Sequence, residues 1–199
     1  MLAVLIAVAM LAYLPVAAAT GSALTDTGEG EVIGVIDGDT IEVLVSAQTA
    51  MSLGFPRRKN PLPIRLRLDQ VDTPERGQPW ANRAKQALSA LIFGKPVRFR
   101  LLEADRYDRH VAHVFIGDVW VNSWLVEQGH GWAYRRYAEQ ATLLCILEER
   151  ARVARRGLWS RPPNEWEPPW VWRRHGPAEA FAPSLEECLA ASGRPGRRR

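Results

Sequence analysis

Glu31-Val32-Ile33-Gly34-Val35-Ile36-Asp37-Gly38-Asp39-Thr40-Ile41-Glu42-Val43-Leu44-Val45 is two β-branched runs around an Asp-Gly-Asp turn. Val and Ile are stiff at χ1 and suit a pleated surface, and a glycine between turn-forming residues lets the chain reverse. The stretch therefore predicts a hairpin of strands at 31–36 and 40–45. A third strand is predicted at 64–71, where Ile64, Leu66 and Leu68 alternate with Arg65 and Arg67. Between them, residues 46–63 hold Gly54, Pro56, Asn60, Pro61 and Pro63 and read as a long loop.

Working outward, Pro79 opens a helix whose Ala81, Ala84, Leu88, Leu91 and Ile92 follow the 3.6-residue period, and Gly94 ends it. Val97 to Leu102 and Val111 to Phe115 read as further strands, joined by a charged turn at 105–110. Asn122 is expected to cap a short helix that stops at Gly129. A last helix is expected over 138–156, stopping at Gly157, with Cys145 on the face away from the Leu144, Leu147, Ala151, Ala154 stripe. Five strands interrupted by a helix after the third predict an α+β chain: a small five-stranded β-barrel of the OB type with about three buttressing helices.

The chain has 199 residues, a formal charge of +4, 47% apolar residues and 24% charged ones. These values exclude intrinsic disorder, collagen, coiled coil and a polytopic membrane protein. The apolar share is uneven: within residues 1–19 only Pro15 is not apolar, and the first charged side chain is Asp26. The run before Pro15 is shorter than the ~20 residues that cross a bilayer, and Ala17-Ala18-Ala19 offers small residues for a signal peptidase. Residues 1–19 are expected to be a signal peptide, with an uncleaved membrane anchor as the alternative; either predicts a secreted, periplasmic or membrane-tethered protein. The domain is expected over 29–175, and the tail from 176 to 199, rich in Ala, Pro, Gly and Arg, is expected to be poorly ordered. Two cysteines, Cys145 and Cys188, allow one bridge or two thiols, and no Cys/His cluster has zinc spacing.

Of 26 basic residues only Lys59, Lys85 and Lys95 are lysine, and the arginines form scattered clusters that favour an anionic partner. Chemistry concentrates at two acidic turns, Asp37-Gly38-Asp39-Thr40 and Asp72-Thr73-Pro74-Glu75. If the strands that carry them are neighbours, both turns open at one end of the sheet. Converging carboxylates repel unless a hard cation lies between them, and aspartate, backbone carbonyl and water are the ligands calcium takes. Arg67, five residues before Asp72, and Arg109, which closes Asp105-Arg106-Tyr107-Asp108-Arg109, add guanidiniums whose paired donors match phosphate oxygens. Opposite a cation–carboxylate cluster they would clamp a phosphodiester.

On these residues the chain resembles the staphylococcal (thermonuclease-like) nuclease family. The matching segments are Val35 to Ile41, Arg67-Leu68, Val71 to Glu75, Asp105 to Arg109, Leu125 to Trp132, Tyr134 to Tyr137, Arg156 to Trp159, Pro168 to Trp170 and Trp172 to Arg174, in family order. The resemblance implies an OB-fold barrel and a Ca²⁺-dependent phosphodiesterase that cleaves DNA and RNA with little sequence preference, leaving 3′-phosphates. It implies that Asp39, Asp72 and the carbonyl of Thr73 bind Ca²⁺, with Asp37 in an outer role. Glu75 corresponds to the carboxylate that orients or deprotonates water, Arg67 and Arg109 to the pair that grips phosphate, and Tyr107 and Tyr137 to positions lining the nucleotide site.

Three departures stand out: Asp108 replaces the usual glycine, Arg135 stands where the founding enzyme has tyrosine, and the 46–63 loop is longer, its Arg57-Arg58-Lys59 a candidate contact to nucleic acid. A monomer with no obligate protein partner is expected. The rival expectation is a nuclease-fold module that binds nucleic acid without cleaving it; the presence of Asp39, Asp72, Glu75, Arg67 and Arg109 together favours catalysis. His110, His113 and His130 are read as structural, and Trp159, Trp166, Trp170 and Trp172 as packing residues.

Overall fold

The computed structural model describes residues 26–55, 61–104, 109–134, 141–175 and 184–192. The leader expected at 1–19 lies outside the described residues. Among those described, no helix is long and apolar enough to cross a membrane.

The predicted hairpin is present as β1 (Thr27–Val35) and β2 (Thr40–Val45), antiparallel with Val35 opposite Ile41. β1 begins four residues earlier than expected because its first half pairs with a different strand. Its C-terminal half pairs with β2, its N-terminal half with β5 (Pro96–Ala104), and an irregularity in register falls between Val32 and Gly34. A long strand that serves two neighbours must bend, and bulges supply that bend.

β3 (Leu62–Leu68) runs antiparallel to β2, and β6 (His110–Ile116) runs antiparallel to β5. A parallel contact of β3 with β6, Leu66 opposite His110 through Leu68 opposite Ala112, closes the ring. The closed order β1-β2-β3-β6-β5 is the OB-type barrel the sequence predicts. Two-residue strands add local ties: β4 (Val71–Asp72) pairs with β8 (Trp132–Ala133), and β7 (Val119–Trp120) extends β6.

Alternate residues fill the interior. Val32, Ile41, Val43, Val45, Leu66 and Leu68 are fully buried, and Phe99 and Val114 meet them from β5 and β6. The barrel is plugged by Leu88 and Ile92 of α2 (Ala81–Ile92) and by Val121, Leu125 and Val126 of α3 (Val121–Glu127). α4 (Ala141–Val153) packs on α3 through Leu144 and Leu147, and α5 (Pro169–His175) follows.

Three expectations are corrected. The stretch read as loop from 46 holds a short helix, α1 (Ala47–Ser52), whose N-cap Ser46 accepts the Thr49 N–H through its hydroxyl at 3.1 Å. Asn122 is not the cap of α3, which starts after Trp120. It is wholly buried inside the helix, where its amide accepts the Val114 N–H at 3.0 Å and donates to the carbonyls of Asp69 and Ala112. The polar side chain stitches β6 to the turn after β3, three bonds that a buried amide needs.

Within the tail expected to be poorly ordered, Leu185–Ser192 forms α6, packed on α4 and joined to it by the Cys145–Cys188 disulfide. Cys145 does lie off the Leu144 stripe, but α6 covers it, so both cysteines are buried.

Candidate active site

Both acidic turns open at the same end of the barrel, because β2 and β3 are adjacent and Thr40 lies opposite Arg67. Asp39 is 5% exposed and Asp72 2% exposed. The Asp39 carboxylate fastens one turn to the other: its Oδ2 accepts the Thr73 N–H at 2.9 Å and the Thr73 hydroxyl at 3.0 Å. Gly38 makes that approach possible, since a Cβ there would stand 2.6 Å from Thr73 Oγ1. Asp37 sits on the exposed rim and accepts the Asp39 N–H at 3.0 Å through Oδ1. Desolvation within the turn, and then the adjacent Asp39, push its carboxyl up to about 6, an effect that water around an exposed group screens.

Arg67 lies on the outer face of β3, opposite in direction to the buried Leu66 and Leu68. Its Nε is 3.2 Å from Asp39 Oδ1, its Nη2 is 3.3 Å from Asp72 Oδ1, and its Nη1 donates to the carbonyls of Leu68 and Val71 at 2.5 and 2.7 Å. Burial opposes its charge, but Asp39, Asp72 and Asp37 outweigh burial and hold it firmly protonated. Four of the five guanidinium hydrogens are thereby used, leaving one on Nη2. Burial likewise raises the Asp72 carboxyl above the usual range, against the pull of Arg173 and Arg67. Arg109, half-buried immediately before β6, brings Nη1 to 3.5 Å from the Thr40 hydroxyl, at the edge of hydrogen bonding.

A third arginine enters from the far end of the chain. Arg173 of α5 grips Asp72 with both ends of its fork, Nη2 to Oδ2 at 2.6 Å and Nη1 to Oδ1 at 3.1 Å, and its Nη1 also reaches Glu75 Oε1 at 2.6 Å. It is placed there by Trp170, three residues earlier on the helix, which stands edge-on to the buried Trp132 with centroids 5.9 Å apart. Trp132 in turn meets Trp159 at 4.5 Å. Gln78 adds a second tie: its Oε1 accepts the Glu75 N–H at 2.9 Å and its Nε2 donates to the Glu167 carbonyl at 2.6 Å.

A hard cation can be tested against this donor set. Among the described residues no three His, Cys, Asp or Glu side chains gather as ligands for one ion. Two buried aspartates do converge, Asp39 and Asp72, next to the backbone of Thr73. Their oxygens are hard and are already drawn to positive groups, Asp39 to Arg67 and Asp72 to Arg67 and Arg173. Such a set fits a divalent ion held by few protein ligands, with positions left for water and phosphate.

Residues 65–161 match the family described as staphylococcal nuclease homologue. The chain is 38% identical over 155 residues to a micrococcal nuclease of Shigella flexneri, covering 73% of this chain and 80% of that one. The chain belongs to the staphylococcal nuclease family. Protein ParB of Escherichia coli is 38% identical over 187 residues, covering 86% of this chain and 92% of its own. An uncharacterized endonuclease of Escherichia coli O157:H7 is 34% identical over 145 residues, covering 72% and 84%.

In this nuclease-family chain the structure brings together Asp37, Asp39, Arg67, Asp72, Thr73 and Glu75, with Arg109 at the rim beside Thr40. Tyr107, Asp108, Arg135, Tyr137 and Arg57-Arg58-Lys59 lie outside the described residues. Sequence reasoning missed two residues, Arg173 and Gln78. Arg173 stood within a family segment and a basic cluster, but its partners Asp72 and Glu75 are 101 and 98 positions away, so no local spacing pointed to the contact. For Gln78 the signal was its place three residues after Glu75, within reach of that residue's N–H. His130, read as structural, accepts the Trp80 indole N–H at 3.1 Å, and burial lowers its pKa.

Proposed function

We propose that the protein is an exported, Ca²⁺-dependent nuclease that hydrolyses phosphodiester bonds of DNA or RNA with little sequence preference and leaves 3′-phosphates. The observation that carries this reading is the convergence of Asp39, Asp72, Thr73 and Glu75 with Arg67 and Arg109 at one mouth of the barrel. Asp39, Asp72 and the Thr73 carbonyl would hold the ion. When bound, it supplies positive charge against the phosphate oxygens and a hard Lewis acid for water.

The chain's own groups do the rest. In-line attack concentrates negative charge on the non-bridging oxygens, and fixed guanidiniums stabilise that charge more in the transition state than in the ground state. Arg109 contributes from the rim beside Thr40, and Arg67 through its remaining Nη2 hydrogen. Glu75 orients the attacking water and accepts its proton. Weak sequence preference is supported by the kind of group gathered here, since guanidiniums that grip phosphate read no base. The apolar leader and the Cys145–Cys188 bridge support an oxidising, extracytoplasmic location.

The test is cleavage of single- and double-stranded DNA and of RNA by the purified protein, with Ca²⁺ or with a chelator, beside Glu75→Ala. Cleavage is expected only with Ca²⁺, and Glu75→Ala should lose roughly a hundredfold or more in kcat, about 3 kcal/mol. Product ends should resist polymerase extension until treated with phosphatase. Cleavage in chelator, or a Glu75→Ala rate equal to wild type, would overturn the mechanism.

A further inference from the structure

We infer that Arg173 is an internal counter-ion that sets the cation affinity of the site: it holds Asp72 and Glu75, and a cation reaches those carboxylates by displacing it. The inference rests on the reading of the site as a calcium site given above.

Asp72 is shared by two arginines that differ in kind. Arg67 has a side chain only 15% exposed, belongs to a barrel strand, and is fixed to two backbone carbonyls as well as to both aspartates. Removing it from the cluster means breaking the end of β3. Arg173 has a side chain 41% exposed and sits on a seven-residue helix outside the barrel. Its guanidinium can swing into water without leaving a buried charge of its own. Both fork nitrogens are nonetheless committed to the site, the short contacts running to Asp72 Oδ2 and Glu75 Oε1.

Charge decides which group yields. Arg67 and Arg173 already approach the same Asp72 Oδ1, at 3.3 and 3.1 Å. A divalent ion at Asp72 would add two positive charges beside two guanidiniums, and repulsion would expel the one that is free to go. The exchange is coupled to the chemistry, because the Glu75 oxygen held by Arg173 belongs to the carboxylate expected to orient water. While Arg173 is in place, its fork occupies one Glu75 oxygen and both Asp72 oxygens, so neither carboxylate is open to a cation or a water on that side. The same arginine therefore lowers cation affinity and restrains the base until the ion arrives.

The experiment titrates CaCl₂ into the full-length protein by isothermal calorimetry for wild type, Arg173→Gln, Arg173→Lys and, as a neighbour control, Arg174→Gln. Each variant is melted first to verify folding. Arg173→Gln should bind Ca²⁺ about tenfold tighter or more, because it removes a competing charge. Arg173→Lys, a point charge that cannot fork across two carboxylates, should fall between, and Arg174→Gln should match wild type. Hydrogen exchange of the 168–175 peptide in wild type should quicken on adding Ca²⁺ as α5 lets go.

Equal or weaker Ca²⁺ binding by folded Arg173→Gln, or unchanged exchange in 168–175 at saturating Ca²⁺, overturns the counter-ion role and leaves the calcium reading standing. If Arg173→Gln does not fold, Arg173→Lys decides by the same criterion. Absence of Ca²⁺ binding in wild type and all variants overturns the calcium reading itself, and the counter-ion role with it.

Discussion

Arg67 and Arg109 look alike in the sequence, each a cation beside an acidic motif, yet their surroundings give them different duties. Arg67 is the counter-charge of two buried aspartates, so Arg67→Ala leaves Asp39 and Asp72 facing each other with one partner gone. Breaking such a buried pair costs about 3–5 kcal/mol. Arg67→Ala should therefore lower stability in a urea melt by that order as well as abolish cleavage. Arg109→Ala, at the half-buried rim, should lose roughly a hundredfold or more in kcat with a smaller change in the melt. An Arg67→Ala protein that melts like wild type would contradict this division of labour. Asp39, Arg67, Asp72 and Thr73 were legible in the sequence because each lies in a short contiguous motif at a strand end. That Arg67 spends most of its donors on protein oxygens was not legible, since the carbonyls of Leu68 and Val71 become partners only when the chain turns back after β3.

At the scale of elements, the β1–β2 turn and the segment after β4 are pressed together by one backbone position without a side chain. Gly38→Ala would drive a methyl to within 2.6 Å of Thr73 Oγ1 and 3.0 Å of the Ala84 Cβ. Over-packing of this kind costs about 1–3 kcal/mol, and here it would also part Asp39 from Thr73. Gly38→Ala should lower the midpoint of thermal unfolding and weaken Ca²⁺ binding together; loss of one without the other would show that the turns do not act as a unit. The five barrel strands were legible from β-branched alternation, a signal set by side-chain direction along a pleat. α1 was not, because the Pro and Gly residues from 54 onward dominate the composition of the stretch and hide the Ser46 cap. Asn122 was misplaced for a similar reason: a polar residue at a helix start reads as a cap, and only the barrel supplies the three buried partners that draw it inside.

For the whole molecule, closure matters twice. The β3–β6 contact closes the barrel, and the Cys145–Cys188 bridge closes a ring of the C-terminal chain that contains α5. The sequence permitted the bridge without requiring it; what settles it is α6 laid across α4, a packing that brings together residues distant in the chain. With its ends 43 positions apart in the chain, the bridge is worth ~4 kcal/mol in the chain-entropy account. Reduction, or Cys145→Ser with Cys188→Ser, should lower stability by about 2–5 kcal/mol in chemical denaturation. An unchanged midpoint would show that the bridge adds nothing to the folded state.

The ring also fixes how strongly Arg173 presses on its site. A group carried on the same chain meets its partner at an effective concentration, on the order of millimolar for a short tether, that dilution of the protein does not change. A free guanidinium in solution would have to match that internal concentration to take its place. Opening the ring lengthens the tether and lowers the local concentration, so the redox state of two cysteines remote from the acidic cluster bears on how readily that cluster is vacated.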